Sequence, residues 1–159
     1  MPSILFVCNA NRFRSPLAAA MFRKRLQELG VPGSWQVGSA GMWATPGQPA
    51  LQRAAAAGRK LGLDLSDHRS ARLSRSMVSE YDLIVVMEAG HREALVNEDP
   101  RVLPRVHLLS DLVERSSYDI PDTFSSEQEV GEVTAELDDL IRDGLESICA
   151  LAERLAQGR

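Results

Sequence analysis

Ile4-Leu5-Phe6-Val7-Cys8-Asn9-Ala10-Asn11-Arg12-Phe13-Arg14-Ser15-Pro16 is the stretch on which the reading of the whole chain turns. The continuous apolar run Ile4 to Val7 predicts a strand covered on both faces. Ser15 and Pro16 predict a helix start, an N-cap followed by proline at the first helical position. Leu17, Met21, Phe22, Leu26 and Leu29 then recur at helical spacing until Gly30. Between strand and helix lies the spacing Cys8-x5-Arg14-Ser15, at the junction where an open α/β sheet binds its ligand. A loop of that length can curl until its N–H groups converge. Together with the helix N-terminus they make a site for a tetrahedral oxyanion. The same field stabilises a thiolate at Cys8. The planar fork of Arg14 suits two phosphoryl oxygens, and the Ser15 hydroxyl can donate to the sulfur. A cysteine after a strand is often only a small buried hydrophobe; its place before Arg14 and Ser-Pro favours chemistry.

Outward from this loop, strands and helices alternate. Strands are predicted at Trp35 to Ala40, Asp82 to Met87 and Val106 to Leu109. Helices are predicted from Gln48 to Leu61, ended by Gly62, and from His91 to Val96. Ser126 and Glu129 form a capping-box pattern. Behind it Val130, Val133, Leu137, Ile141, Leu145, Ile148, Ala152 and Leu155 make one apolar stripe, with softening expected at Gly131 and Gly144. Short connections imply an α/β fold, a parallel sheet wrapped by helices on both faces, in a single domain over residues 1–159.

Composition limits the function classes. The chain has 159 residues, 44% hydrophobic and 25% charged, a globular rather than disordered balance. A formal net charge of -4 argues against a nucleic-acid partner. No apolar run approaches the roughly 18 to 20 residues of a membrane span, and the N-terminus lacks a signal-peptide pattern. A cytoplasmic location without membrane contact is expected. Two cysteines, Cys8 and Cys149, cannot build a disulfide framework or a zinc site. His68, His91 and His107 are scattered rather than set at metal-ligand spacing. Cys149 reads as packing, His91 and His107 receive no role, and Arg69 to Arg75 reads as a solvated face.

The loop resembles that of the low-molecular-weight protein tyrosine phosphatases, which carry Val-Cys-x-Gly-Asn-x-Cys-Arg-Ser-Pro. Cys8, Asn11, Arg14, Ser15 and Pro16 match it. The likeness continues through Ser39-Ala40-Gly41, His68 to Arg72, Val86-Met87-Glu88 and Ile120-Pro121-Asp122. It implies a three-layer α/β/α fold with a four-stranded parallel sheet in order 2-1-3-4, with no metal and no cofactor. It further implies a phosphomonoesterase working through a cysteinyl-phosphate, acting on a phosphorylated protein substrate with phosphotyrosine preferred, as a monomer or weak dimer. Cys8 is then the nucleophile, Arg14 the phosphate ligand and Asp122 the general acid, with Asp119 the alternative. Asn9, Ala10, Asn11, Arg12, Phe13 and Ser15 surround the phosphate. Trp43 and Phe124 wall the pocket, and Ser39 and His68 hold the loop.

Three positions depart from the pattern. Ala10 replaces a glycine, which asks whether that position needs φ > 0. Phe13 replaces a second cysteine. Thr123 replaces the proline after the acid. Arg12 is also unusual; at the rim it would stack on a phenyl ring and repel a guanidinium. Other functions on this scaffold are a phosphoarginine phosphatase, a thiol-coupled arsenate reductase and a non-catalytic phosphopeptide-binding module. The reductase needs more cysteines than Cys149 supplies, and a binder has no use for Cys8 and Asp122 together.

Overall fold

Strand β1 (Ser3–Cys8) is buried along its whole length, as its unbroken apolar run requires. In the computed structural model, which describes residues 1–159, β1 pairs in parallel with β2 (Gln36–Gly41) on one side and β3 (Leu83–Val86) on the other. β4 (Val106–Leu108) extends the sheet beyond β3, giving the order 2-1-3-4. Alternate β1 residues serve different faces. Ile4, Phe6 and Cys8 join one core, with α1 (Arg14–Glu28) and α6 (Glu127–Gln157). Leu5 and Val7 join the other, with Leu95 of α4 (Ala89–Glu98). Helices α2 (Gln52–Lys60), α3 (Arg75–Glu80) and α5 (Leu109–Glu114) complete the chain. No helix is long and apolar enough to cross a membrane.

Most predicted elements are present, with shifted ends. α2 begins at Gln52, because residues 48–51 are drawn into other bonds: Gln48 N–H donates to Ser70 Oγ and Leu51 N–H to the Arg12 carbonyl. Helix α3 was not predicted; Ser74 caps it, its hydroxyl accepting from Met77 N–H, and Arg69, Arg72 and Arg75 are exposed, as a solvated face requires. Helix α1 begins at Arg14 behind Phe13, so Ser15 is not its N-cap. That hydroxyl is engaged with the loop instead. Helix α6 has its Ser126 cap and runs unbroken through both glycines. Gly144 lies against α5: a Cβ there would be 2.4 Å from Val113 Cγ2.

The carboxyl ends of β1 and β2 meet at Gly41. A Cβ on Gly41 would lie 2.6 Å from the Asn9 carbonyl oxygen and 2.8 Å from Asn11 N, both backbone atoms that cannot swing aside. The loop after β1 therefore rests directly on β2. Gly41→Ala should cost about 1–3 kcal/mol, the usual size of overpacking. Gly131→Ala meets no atom within 4 Å and should gain up to about 1 kcal/mol from helix propensity. Thermal unfolding of the two variants beside the wild type measures both; an unchanged melting temperature for Gly41→Ala would refute this account of the contact.

Candidate active site

Residues 9–13 curl between β1 and α1, and Asn11 makes the turn. It is fully buried with φ 58°, in the left-handed region where asparagine is among the few tolerated side chains. Its side chain reaches in three directions. Nδ2 donates to Ser15 Oγ (2.8 Å) and Ser39 Oγ (2.9 Å), while Oδ1 accepts from Ala71 N–H (2.9 Å). The Asn11 backbone carbonyl accepts from His68 Nε2 at 2.7 Å. Ser39 and His68, from β2 and the segment before α3, thus converge on one residue of the loop. Ala10 lies beside it, exposed and without a positive φ. The left-handed step belongs to Asn11, so alanine at position 10 is unstrained.

Cys8 ends β1 and is 2% exposed. Its Sγ lies 2.9 Å from Ser15 Oγ and accepts the Ser15 N–H at 3.4 Å. Because Ser15 Oγ already accepts from Asn11, its single proton is left for Sγ or for the Ala40 carbonyl at 3.3 Å. A thiolate draws that proton. The N–H groups of residues 10–13 donate to no protein acceptor.

Arg14 is the largest fully buried side chain of the molecule. Nη1 donates to the Ile120 carbonyl at 2.7 Å. Nη2 is ion-paired with Glu88 Oε2 at 2.8 Å and Asp122 Oδ2 at 3.3 Å, out of hydrogen-bond alignment, and Nε has no acceptor. One edge of the guanidinium, Nε with Nη2, is therefore buried with its hydrogen-bond donors unspent. Asp122 stands on the segment after α5, and Asn9 Nδ2 donates to its Oδ2 at 3.0 Å. Asp119 does not share this cluster; its Oδ1 accepts from Ala89 N–H at 2.8 Å, at the start of α4.

The aromatic residues frame the site unequally. Trp43 is 64% exposed and meets His91 edge-on at 6.1 Å. Phe124 is 46% exposed on the segment that carries Asp122, packed edge-on against buried Phe13 at 6.4 Å, while its carbonyl accepts from Arg53. Arg12 is turned to the 47–50 segment, its Nε donating to the Pro49 carbonyl at 2.8 Å. Glu88 and His91 were missed from the sequence. Both follow the carboxyl end of β3, the strand next to β1, where ligand contacts in parallel sheets gather. That position was the only signal for His91, while Glu88 also lies in the Val86-Met87-Glu88 stretch that matches the family.

With this geometry in place, the match to known proteins is specific. The model of the low molecular weight phosphotyrosine protein phosphatases covers residues 3–156. The chain belongs to this family. Its activity class, that of a cysteine-dependent protein phosphatase, is the family's. It is 34% identical over 130 residues to the low molecular weight protein-tyrosine-phosphatase Etp of Escherichia coli K12, covering 82% of each chain. It is 32% identical over 153 residues to a protein-arginine-phosphatase of Geobacillus stearothermophilus, covering 96% of this chain and 95% of that one. A solved low molecular weight protein tyrosine phosphatase from T. tengcongensis superposes with a TM-score of 0.84 at 29% identity, over 92% of this chain and 99% of that one.

Burial disfavours the charged form of two histidines of this phosphatase. Burial lowers the pKa of His68, against the raising effect of its bond to Asn11, and burial likewise lowers that of His91. Below about pH 6.5 the unfolded chain takes up protons that the folded chain refuses. Stability should therefore fall as the pH drops through that value, the loss being complete below the lowered folded-state values. Scanning calorimetry at pH 7.5 and 5 should show a smaller fall for the His68→Gln/His91→Gln protein than for wild type. Equal falls would remove the histidines from the explanation.

Proposed function

We propose that the chain hydrolyses phosphotyrosine in protein substrates through a cysteinyl-phosphate, with Cys8, Arg14 and Asp122 as its catalytic residues. The observation that carries this reading is the unspent donor edge of buried Arg14. A buried donor without an acceptor costs roughly 1–3 kcal/mol, and a tetrahedral oxyanion supplies two acceptors at that spacing. The unbonded amides of the loop add further donors, an arrangement fixed before the anion arrives.

The Cys8 thiolate attacks phosphorus and the P–O bond to the leaving group breaks. Arg14 and the loop amides hold the equatorial oxygens through the transfer. Asp122 gives its proton to the departing oxygen. The same carboxylate then takes a proton from water, which attacks the thiophosphate; phosphate leaves and the thiolate returns, stabilised by the Ser15 hydroxyl. Trp43 and Phe124, both exposed, offer flat apolar faces that suit a phenyl ring.

Phosphoarginine is the second reading. The Glu88 and Asp122 carboxylates beside Arg14 suit a cationic leaving group, and Arg12, tethered to Pro49, opposes it less than a free guanidinium would. Measuring kcat/KM on phosphotyrosine and phosphoarginine peptides decides between them. The wild type should favour phosphotyrosine, and Arg12→Thr should shift the ratio toward phosphoarginine; a wild type that favours phosphoarginine rejects the first reading.

Cys8→Ser should abolish turnover, and retained turnover would sink the covalent mechanism. Asp122→Ala should lower kcat/KM for phenyl phosphate by about 10²-fold or more, the usual scale of general-acid catalysis. Asp119→Ala should do far less, and the reverse order would reassign the acid.

A further inference from the structure

His91 is a buried titratable side chain that the proposed reaction leaves without a task. It lies on α4, 2% exposed, with Nε2 2.7 Å from Asn9 Oδ1 and Nδ1 buried without a partner. On its other side Asn9 Nδ2 reaches Asp122 Oδ2 at 3.0 Å and Glu88 Oε2 at 3.3 Å. Ionised carboxylates only accept, so the NH2 of Asn9 must face the two acids and its carbonyl must face His91. That carbonyl in turn requires a proton on Nε2. The amide orientation and the imidazole tautomer therefore fix each other, and the unpartnered Nδ1 is the unprotonated nitrogen. The ring is held against Trp43, and its Nε2 lies 3.6 Å from Glu88 Oε2.

We propose that Asn9 and His91 are positioning residues for the acid: Asn9 holds the Asp122 carboxyl group by Oδ2, and His91 locks the amide that does so. This rests on the reading of Asp122 as the acid. Both contacts of Asp122, to Asn9 and to Arg14, use Oδ2. Oδ1 remains to carry the proton to the leaving oxygen. The Arg14 contact favours the ionised carboxylate and competes with an arriving phosphoryl group for the same guanidinium edge. The Asn9 bond does neither. A neutral amide donor serves Oδ2 whether or not Oδ1 is protonated, so it can hold the group in both its acid and its base turn.

The test is the dependence on leaving group. kcat/KM is measured on phenyl phosphate, which needs the proton, and on p-nitrophenyl phosphate, which needs it little; vanadate inhibition reports the anion loop separately. Asn9→Leu and His91→Phe should each lower kcat/KM for phenyl phosphate about 10-fold or more, within the span of general-acid effects. For His91→Phe, whose side chain stands on α4 outside the loop, the p-nitrophenyl value should fall less than about threefold, with vanadate affinity kept. His91→Gln, which restores a donor to Asn9, should recover most of the loss. Asn9→Leu added to Asp122→Ala should cost nothing further, since both act through one carboxyl group. Equal losses on the two substrates, or a parallel loss of vanadate affinity, would overturn the proposal, because the residues would then only shape the loop. If Asp122→Ala shows the substrate split and these variants do not, this inference alone fails. If Asp122→Ala shows no split, the assignment of the acid fails and takes the inference with it.

Discussion

The loop keeps its shape because one buried asparagine is held in a conformation most residues avoid. Asn11 at φ 58° spends both ends of its amide and its own backbone carbonyl on Ser15, Ser39, Ala71 and His68. These partners come from α1, β2 and the segment leading to α3, so the turn is fixed by the fold and not by its own preference. A left-handed residue costs about 1–3 kcal/mol and persists only where its surroundings over-determine it. The consequence is that the N–H groups of residues 10–13 are left without protein acceptors. Gly41 beneath the turn allows the approach, since any side chain there would meet loop backbone.

Arg14 shows the second half of the same trade. Burying a guanidinium completely is costly unless charge partners surround it. Glu88, Asp122 and the Ile120 carbonyl supply that company while leaving the Nε–Nη2 edge without aligned acceptors. The guanidinium is thus stabilised by charge but left unsatisfied in hydrogen bonding, the state in which an oxyanion gains most from entering. Stability and function compete at this side chain, and the carboxylates set the balance.

The departures from the family pattern sort by how the backbone receives them. Ala10 is exposed and needs no positive φ, because the left-handed step sits one residue later. Phe13 is buried, and its ring meets Phe124 on the segment that carries Asp122. In place of the second cysteine of the resembled pattern, this chain has an apolar contact between the loop after β1 and the segment of Asp122. Arg53 ties the same segment through the Phe124 carbonyl, so Thr123 sits in a strand of chain anchored on both sides.

Sequence alone determined whatever depends on neighbours along the chain. Apolar runs and stripes gave the four strands, the long helix behind Ser126, and a parallel sheet. The Cys8-x5-Arg14-Ser15 spacing marked the loop between β1 and α1, and the likeness to known phosphatases gave the strand order and pointed to Asp122. Local signals failed where a distant partner decides. Ser15-Pro16 looked like a helix cap, but the Ser15 hydroxyl is claimed by Asn11, Ala40 and Cys8, and the helix starts two residues earlier. The helix at Gln48 starts late because Ser70 and the Arg12 carbonyl take its first amides. Glu88 lay in a stretch that matches the family but had no role marked on it, and His91 carried no pattern at all. They lie 74 to 83 residues beyond the loop in sequence, and only the pairing of β3 against β1 brings them to Arg14 and Asn9. Periodicity reports burial, which is local in sequence; the company a buried charge keeps is decided by which strands lie side by side.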